Sequence, residues 1–143
     1  MILISVGRAL FQEFPVKDLT AIELRAHVPA KDFERSKAFY QDLGFTLCWS
    51  NDELAYLHVG PHGAEGKAGI LLQNHYTKEL AENLQMHLLV SDVEAWWKHV
   101  QDQQISEKYG ITTDPPEDRD WKMRDFVLLD PAGVVWRIAQ AIP

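Results

Sequence analysis

The sequence has little cysteine and no long apolar run. Cys48 is its single cysteine among 143 residues, and one thiol cannot form the internal disulfides that mark small secreted domains. No apolar stretch approaches the roughly 20 residues that cross a bilayer as a helix. The opening residues Met-Ile-Leu-Ile-Ser-Val lack the basic start and the length of a signal peptide. We therefore expect a cytoplasmic protein that does not insert into a membrane.

Basic residues are also scarce. The chain has 14 Lys and Arg against 21 Asp and Glu, a net charge of −7. Nucleic-acid binding needs a basic face, and docking to an anionic membrane needs one too. The charge balance therefore predicts neither partner and favours neutral or cationic ones. The length is that of one domain, long enough to bury a core without disulfides.

An internal repeat is the most informative feature of the sequence. Asp32-Phe33-Glu34 returns later in the chain as Asp92-Val93-Glu94, and an apolar strand pattern precedes each copy, at 22–28 and 84–90. Ala68-Gly69-Ile70 returns at nearly the same spacing as Ala132-Gly133-Val134. The repeat predicts two similar units, roughly 21–80 and 81–143. Residues 1–20 precede them as an N-terminal extension, which is either an added edge strand or an arm that reaches a partner.

Each unit carries one well-signalled helix. Asp32 is placed to cap the first helix and Gly44 to end it. The second helix begins at Ser91 or Asp92, and its apolar residues follow helical spacing, which predicts one buried stripe of Val93, Trp96, Trp97 and Val100. Strands are predicted at 45–49, 54–59, 68–73, 109–113, 123–129 and 134–139, with an acidic loop at 114–120.

Two stretches carry a family resemblance. Residues 28–45 (VPAKDFERSKAFYQDLGF) and 121–133 (WKMRDFVLLDPAG) are similar to the first strand and helix and to the last hairpin of the vicinal oxygen chelate superfamily. That superfamily includes glyoxalase I, extradiol dioxygenases and bleomycin resistance proteins, and the last hairpin most resembles the bleomycin resistance branch. The likeness spans residues 21–140. It implies an α+β fold of two tandem βαβββ modules curled around a shared cleft, and a homodimer whose ligand sites lie between chains.

Strand alternation predicts which side chains face the cleft. On the first strand these are Glu23, Arg25 and His27; on the corresponding strand of the second unit they are Gln85, His87 and Leu89. Arg137 faces the cleft from the last strand, and the spacing between the two Ala-Gly motifs pairs it with Gln73.

The resemblance allows a test for a metal. Enzymes of the superfamily hold a divalent metal with four cleft ligands, and the matching positions here are Arg25, Gln73, Gln85 and Arg137. A guanidinium has no lone pair to give a metal, and two carboxamides are a poor donor set. The sequence therefore predicts no metal, no cofactor and no catalytic residues.

One alternative keeps a metal. His27 and His87 occupy matching positions of the repeat on the predicted cleft face, so they form a candidate relocated pair, with Glu23 as a third ligand, in a metal-dependent lyase or dioxygenase. The remaining histidines, at 58, 62, 75 and 99, are predicted at the surface. Cys48 is predicted as a buried thiol without a catalytic role.

Aromatic residues point to binding. Trp121 follows the acidic loop and Trp49 lies near the end of the second strand, and both offer stacking and cation–π surfaces. Tyr56 and Tyr76 are weaker candidates. The predicted function is a metal-free protein that sequesters a drug-like or aromatic small molecule, with bleomycin-class antibiotics as first candidates by resemblance. Arg25 and Arg137 favour an anionic or carbonyl-bearing ligand unless acids such as Glu23 neutralise them. The predicted ligand-binding residues are Arg25, His27, Trp49, Gln73, Gln85, His87, Trp121 and Arg137.

Overall fold

Two four-stranded sheets with helices packed between them make up the fold, in a computed structural model that describes residues 17–59 and 68–143. The elements of the first unit are β1 (Leu24–Pro29), α1 (Phe33–Leu43), β2 (Phe45–Ser50), β3 (Leu54–Val59) and β4 (Ala68–Gln73). A short helix, α2 (Lys78–Asn83), leads to the second unit. That unit contains β5 (Gln85–Leu89), α3 (Val93–Asp102), α4 (Ile105–Tyr109), β6 (Glu117–Arg119), β7 (Met123–Leu129) and β8 (Val135–Ala141).

The two sheets share one topology. Their strand orders are β1-β4-β3-β2 and β5-β8-β7-β6. In each sheet the strand that opens the unit pairs in parallel with the strand that closes it, and the remaining pairs are antiparallel. This confirms the duplication and the α+β fold of two βαβββ modules.

Aspartates cap the two main helices as predicted. The Asp32 side chain accepts the N–H of Arg35, and the Asp92 side chain accepts the N–H of Ala95, each at 3.1 Å. Each carboxylate satisfies an N–H that the first turn leaves without a partner. Gly44 ends α1 with φ +120, a value that side chains disfavour.

One core lies between the sheets. In α3, Val93 and Val100 are buried, and the two tryptophans of the predicted stripe pack against the core from half-buried positions. The rings of Tyr40 and Phe45 lie 5.6 and 5.5 Å from that of Trp136, so the first unit contacts the second directly. Each sheet therefore has an inner face on the shared core and an outer face that points away from it.

A buried hydrogen-bond network joins the units. Trp136 Nε1 donates to the Tyr40 hydroxyl at 2.8 Å, and that hydroxyl donates to Asp130 Oδ2. The backbone N–H groups of Ala132 and Val134 donate to Asp130 Oδ1 at 2.8 and 2.9 Å. Burial raises the pKa of Asp130 above its ordinary value of 3.8, although the hydrogen bonds from Tyr40 and the backbone act the other way.

The strand predicted at 109–113 is wrong. That region holds the end of α4, where Tyr109 turns into the core and its ring lies 5.3 Å from the Phe39 ring. Gly110 then takes a left-handed conformation with φ +62, which ends the helix. Thr113 alone of this stretch forms a β-bridge, to Leu128. The predicted acidic loop also contains a strand, β6, which pairs with β7.

Three single-residue predictions also fail. His58 lies on β3 and is buried, with Nδ1 3.1 Å from the Val59 carbonyl oxygen. His99 is half-buried, and its Nε2 lies 2.8 Å from the Asp42 carbonyl oxygen. Cys48 is exposed. His62 and residues 1–16 of the proposed extension lie outside the described residues, and residues 17–20 are exposed without regular structure.

Within the described residues, no helix has the length and hydrophobicity that crossing a membrane would require.

Tyr40→Phe is expected to lower the free energy of unfolding by about 1–3 kcal/mol, because it leaves a buried carboxylate oxygen and the buried Trp136 N–H without their partner. Urea unfolding followed by fluorescence measures this. Tyr76→Phe, at a half-buried tyrosine outside the network, is the control. Equal losses in the two variants would contradict the role given to the network.

Candidate functional site

The predicted binding residues gather on the outer faces of the two sheets. We call the side chains of Glu23, Arg25, His27, Trp49, Tyr56 and Gln73 the first outer face, on β1 to β4 and the residue before β1. The second outer face comprises Gln85, His87, Arg119, Trp121, Asp125 and Arg137, on β5 to β8 and the β6–β7 turn. All eight predicted ligand-binding residues belong to one of these two faces.

A β-bulge places Trp49 on the first outer face. Leu47 pairs with Leu57 of the inner face, and the register shifts before Trp49, which pairs with Tyr56 of the outer face. Without the extra residue, Trp49 would follow Leu47 into the core. The bulge explains why the Trp49 side chain is 51% exposed. It also accounts for the exposure of Cys48, the residue at the irregularity.

A compact ionic cluster occupies the first outer face. Arg25 Nη2 lies 3.1 Å from Glu23 Oε1, and the Tyr56 hydroxyl donates to the same oxygen at 2.8 Å. The Arg25 guanidinium also lies over the Tyr56 ring, 4.0 Å from its centre. Burial opposes the charged form of Glu23, but the hydrogen bonds from Tyr56 and Arg25 prevail and lower its pKa below 4.5. Arg25 is therefore neutralised within the face.

Gly69 makes this cluster possible. It lies between β1 and β3, opposite Arg25 on one side and His58 on the other. A Cβ at this position would collide with Glu23 Oε2 and lie 3.0 Å from Tyr56 Cε1. The missing side chain thus leaves the space in which Glu23 and Tyr56 meet.

The second outer face is built around Asp125. This aspartate is fully buried, and its Oδ1 accepts hydrogen bonds from Arg119 Nε and Arg137 Nη1, both at 2.9 Å. Asp125 Oδ2 is buried and has no hydrogen-bond partner among the described residues. The Arg137 guanidinium lies 6.0 Å from the centre of the Trp121 ring, and Trp121 is 58% exposed.

Strand pairing corrects the predicted match between Gln73 and Arg137. His27 pairs with Leu71, and His87 pairs with Arg137. If the two histidines correspond, the residue that matches Arg137 in the first unit is Leu71, and Gln73 lies two residues further along β4, opposite Pro29. The spacing taken from the Ala-Gly motifs is therefore two residues short on this strand. Because two residues preserve the face, both side chains still lie outward.

The donor set does not suit a metal. Arg25 and Arg137 both lie on outer faces, as predicted. Each forms an ion pair with a carboxylate, and a guanidinium has no lone pair with which to bind a metal. His27 and His87 are exposed on the outer faces of different sheets. Within residues 17–59 and 68–143, no three His, Cys, Asp or Glu side chains converge into a metal site. The residues present in one chain thus do not fit the family's metal.

Sequence reasoning missed Asp125 and Arg119 as members of the site. Asp125 precedes the buried Phe126 on β7, so strand alternation alone places it outward, and the sequence does contain that signal. Arg119 has no such signal, because the sequence predicts a loop where β6 lies. Of the two weaker candidates from the sequence, Tyr56 holds the ionic cluster of the first face, whereas Tyr76 belongs to neither face and contacts Lys31.

Comparison with known proteins gives a consistent fold. The family sequence model of the Glyoxalase/Bleomycin resistance protein/Dioxygenase superfamily matches residues 22–138 of this chain. A bleomycin-binding protein complexed with bleomycin is 21% identical with a TM-score of 0.64, covering 82% of this chain and 97% of that chain. TnmS3, an antibiotic binding protein from Streptomyces sp. CB03234, is 25% identical with a TM-score of 0.63, covering 87% of this chain and 99% of that chain.

An enzyme is also among the similar structures. Lactoylglutathione lyase from Agrobacterium tumefaciens is 16% identical with a TM-score of 0.60, covering 87% of this chain and 96% of that chain. At identities this low, structural likeness shows the fold and not the activity. A comparison with curated protein sequences finds no match.

Tyr56→Phe is expected to raise the pKa of Glu23, because it removes a hydrogen bond to the charged form. A carboxyl whose pKa is lowered by folding stabilises the folded state above its unfolded pKa, and this contribution is lost as pH falls through the folded pKa. The difference in unfolding free energy between the wild type and Tyr56→Phe should therefore be largest near neutral pH and shrink below about pH 4.

Urea unfolding across this pH range measures the difference. In a Glu23→Gln background the effect of Tyr56→Phe should lose its pH dependence, since the titrating group is gone. A pH-dependent effect that persists there would show that another carboxyl is responsible.

Proposed function

Because the chain belongs to the Glyoxalase/Bleomycin resistance protein/Dioxygenase superfamily, we propose that it is a small-molecule binding protein of the bleomycin resistance type. It sequesters an aromatic, drug-like ligand and carries out no covalent step. The observation that carries this proposal is the exposed tryptophan on each outer face, Trp49 at 51% and Trp121 at 58% exposure. Trp121 lies near the Arg137 guanidinium, and Trp49 pairs with Tyr56, whose ring lies under the Arg25 guanidinium.

Physical chemistry favours a ligand at these positions. A large aromatic side chain exposed on a sheet face is more informative than a scattered surface leucine. A planar ligand that stacks on Trp49 or Trp121 removes apolar surface from water on both partners and adds ring–ring attraction. The neighbouring arginines are fixed by Glu23 and Asp125, so little conformational entropy is lost when a ligand binds them.

A second copy of the chain would complete the cleft. The inner faces of both sheets lie on one core, so the outer faces of a single chain point away from each other. No ion pair or ring contact among the described residues joins the two outer faces. A two-fold dimer that sets the first outer face of one chain against the second outer face of the other would form two identical clefts.

The strands at the sheet edges support this arrangement. β1 and β5 are edge strands, and each carries an exposed leucine, Leu24 at 83% and Leu89 at 59%. Exposed edge strands with apolar side chains are usually covered in soluble proteins. Contact between these edges would bring the two outer faces of different chains together.

Trp121→Ala is expected to weaken the binding of metal-free bleomycin about tenfold, through loss of stacking and buried area. Isothermal titration of the intact protein measures this, with metal-free bleomycin as the probe, because a similar structure is a complex with bleomycin. Leu80→Ala, at an exposed leucine on α2 away from both outer faces, is the control. Wild-type protein that releases no heat at micromolar concentration would exclude this ligand.

Chelation provides a second control. Binding should be unchanged after treatment with EDTA, because no metal takes part in the proposed contacts. Loss of binding on chelation, together with a stoichiometric metal that disappears in a His27→Ala, His87→Ala double variant, would instead support the metal-dependent alternative.

Leu89→Glu is expected to shift the protein from dimer to monomer, since it places a charge on an apolar sheet edge proposed as the contact. Sedimentation velocity measures the change. Leu80→Glu makes the same substitution on α2 and should leave the sedimentation coefficient unchanged. Wild-type protein that sediments as a monomer at all concentrations would overturn the dimer.

A further inference from the structure

The charges of the two outer faces are balanced differently. On the first outer face one carboxylate, Glu23, holds one guanidinium, Arg25. On the second, the single carboxylate of Asp125 is shared by Arg119 and Arg137. Arg124, which lies outside both faces, contacts two carboxylates, those of Glu94 and Asp118. The second outer face therefore contains a guanidinium whose charge its own contacts do not fully neutralise.

Arg137 is the member of that pair that lies near the exposed Trp121. Its side chain is 30% exposed, and Nη1 alone is engaged by Asp125. A guanidinium has five N–H donors, so donors remain on the side away from Asp125. Its neighbours in the sheet are His87 on β5 and Val127 on β7, neither of which is an acid. Glu117 on β6 lies on the same side of the sheet, opposite Asp125 on β7, and is two strands away from Arg137 on β8.

Trp121 fixes where the ligand ring would lie. The Arg137 guanidinium lies over the exposed indole, with Cζ 6.0 Å from the ring centre. This gap is too narrow for a ring stacked directly between the two groups, but a flat molecule that packs on the indole offset from its centre brings a substituent on its edge to the guanidinium. A carboxylate matches this geometry best, because it accepts two parallel hydrogen bonds from one arginine. A cationic substituent at the same place would be repelled by Arg137.

We infer that Arg137 and Trp121 form a subsite for a planar aromatic group that bears an anionic oxygen, such as an aromatic carboxylate, and that Arg137 determines this charge preference. The inference rests on the proposed binding function and narrows its ligand class. It also runs against the net charge of −7, which by itself favours cationic ligands. The local geometry governs here because screening limits distant charges to about 10 Å at ordinary salt.

A pair of matched probes tests the inference: naphthalene-2-carboxylate and naphthalen-2-ylmethylammonium, which share a ring and differ in charge. The wild type is expected to bind the carboxylate about tenfold more tightly. Arg137→Met should abolish this ratio. Arg137→Lys should keep its sign with lower affinity, since lysine retains the charge and loses the paired donors. Arg124→Met, which removes an arginine outside both faces, should leave the ratio unchanged.

The ratio of dissociation constants is compared within each variant, so a general loss of affinity or stability does not change its interpretation. Equal or tighter binding of the ammonium probe by the wild type would overturn the inference and leave the binding function intact. A preference for the carboxylate that survives Arg137→Met would overturn the role of Arg137. If neither probe binds, the inference fails, and the titration with metal-free bleomycin decides the binding function independently.

Discussion

The hydrogen bonds that join Tyr40, Asp130 and Trp136 determine how the two units meet. Tyr40 belongs to the helix of the first unit, and Asp130 and Trp136 belong to the last hairpin of the second. A buried carboxylate is costly unless its oxygens are satisfied, and here the satisfying groups come from both units. The arrangement therefore favours one packing of the units over others in which the apolar faces also meet. Since that packing turns both inner faces toward one core, it turns both outer faces toward solvent.

The outer faces show how long arginine side chains are held in place on a sheet surface. Glu23 forms an ion pair with Arg25, and Asp125 forms one with Arg137. The Arg25 guanidinium lies over the Tyr56 ring and the Arg137 guanidinium over the Trp121 ring. Hydrogen-bonded carboxylates lower the number of conformations that the long arginine side chains adopt. The two clusters use the same chemistry with different stoichiometry, one acid for one base on the first face and one acid for two on the second.

Much of this could be predicted from the sequence, because the signals are local. The repeated Asp-x-Glu marks both helix caps, and strand alternation places Arg25, His27, His87 and Arg137 outward. The predictions that failed depend on contacts between residues that are distant in the sequence. Tyr109 packs on Phe39, a residue of the other unit that is distant in the sequence, so a strand-like stretch is the end of a helix. The match of Gln73 with Arg137 depends on a spacing that only strand pairing could correct.

Trp49 shows the limit of alternation most clearly. Counting alternate residues from Phe45, which is buried, places Leu47 and then Trp49 inward. The bulge at Cys48 reverses the side from that point, and a bulge of this kind has no reliable signature in a single sequence. The aromatic ring alone makes Trp49 a binding candidate in the sequence, whereas the face on which it lies is a property of the backbone.

The division of the site between two sheets links binding to assembly in the proposed dimer. Each cleft would take Trp49 and Tyr56 from one chain and Trp121 and Arg137 from the other, so a ligand that contacts both halves binds the dimer and not the monomer. By mass action such a ligand stabilises the dimer, and dimerisation raises the apparent affinity for the ligand by the same factor. This coupling depends on the buried network at Asp130, because the network sets the relative orientation of the two half-sites that each chain presents to its partner.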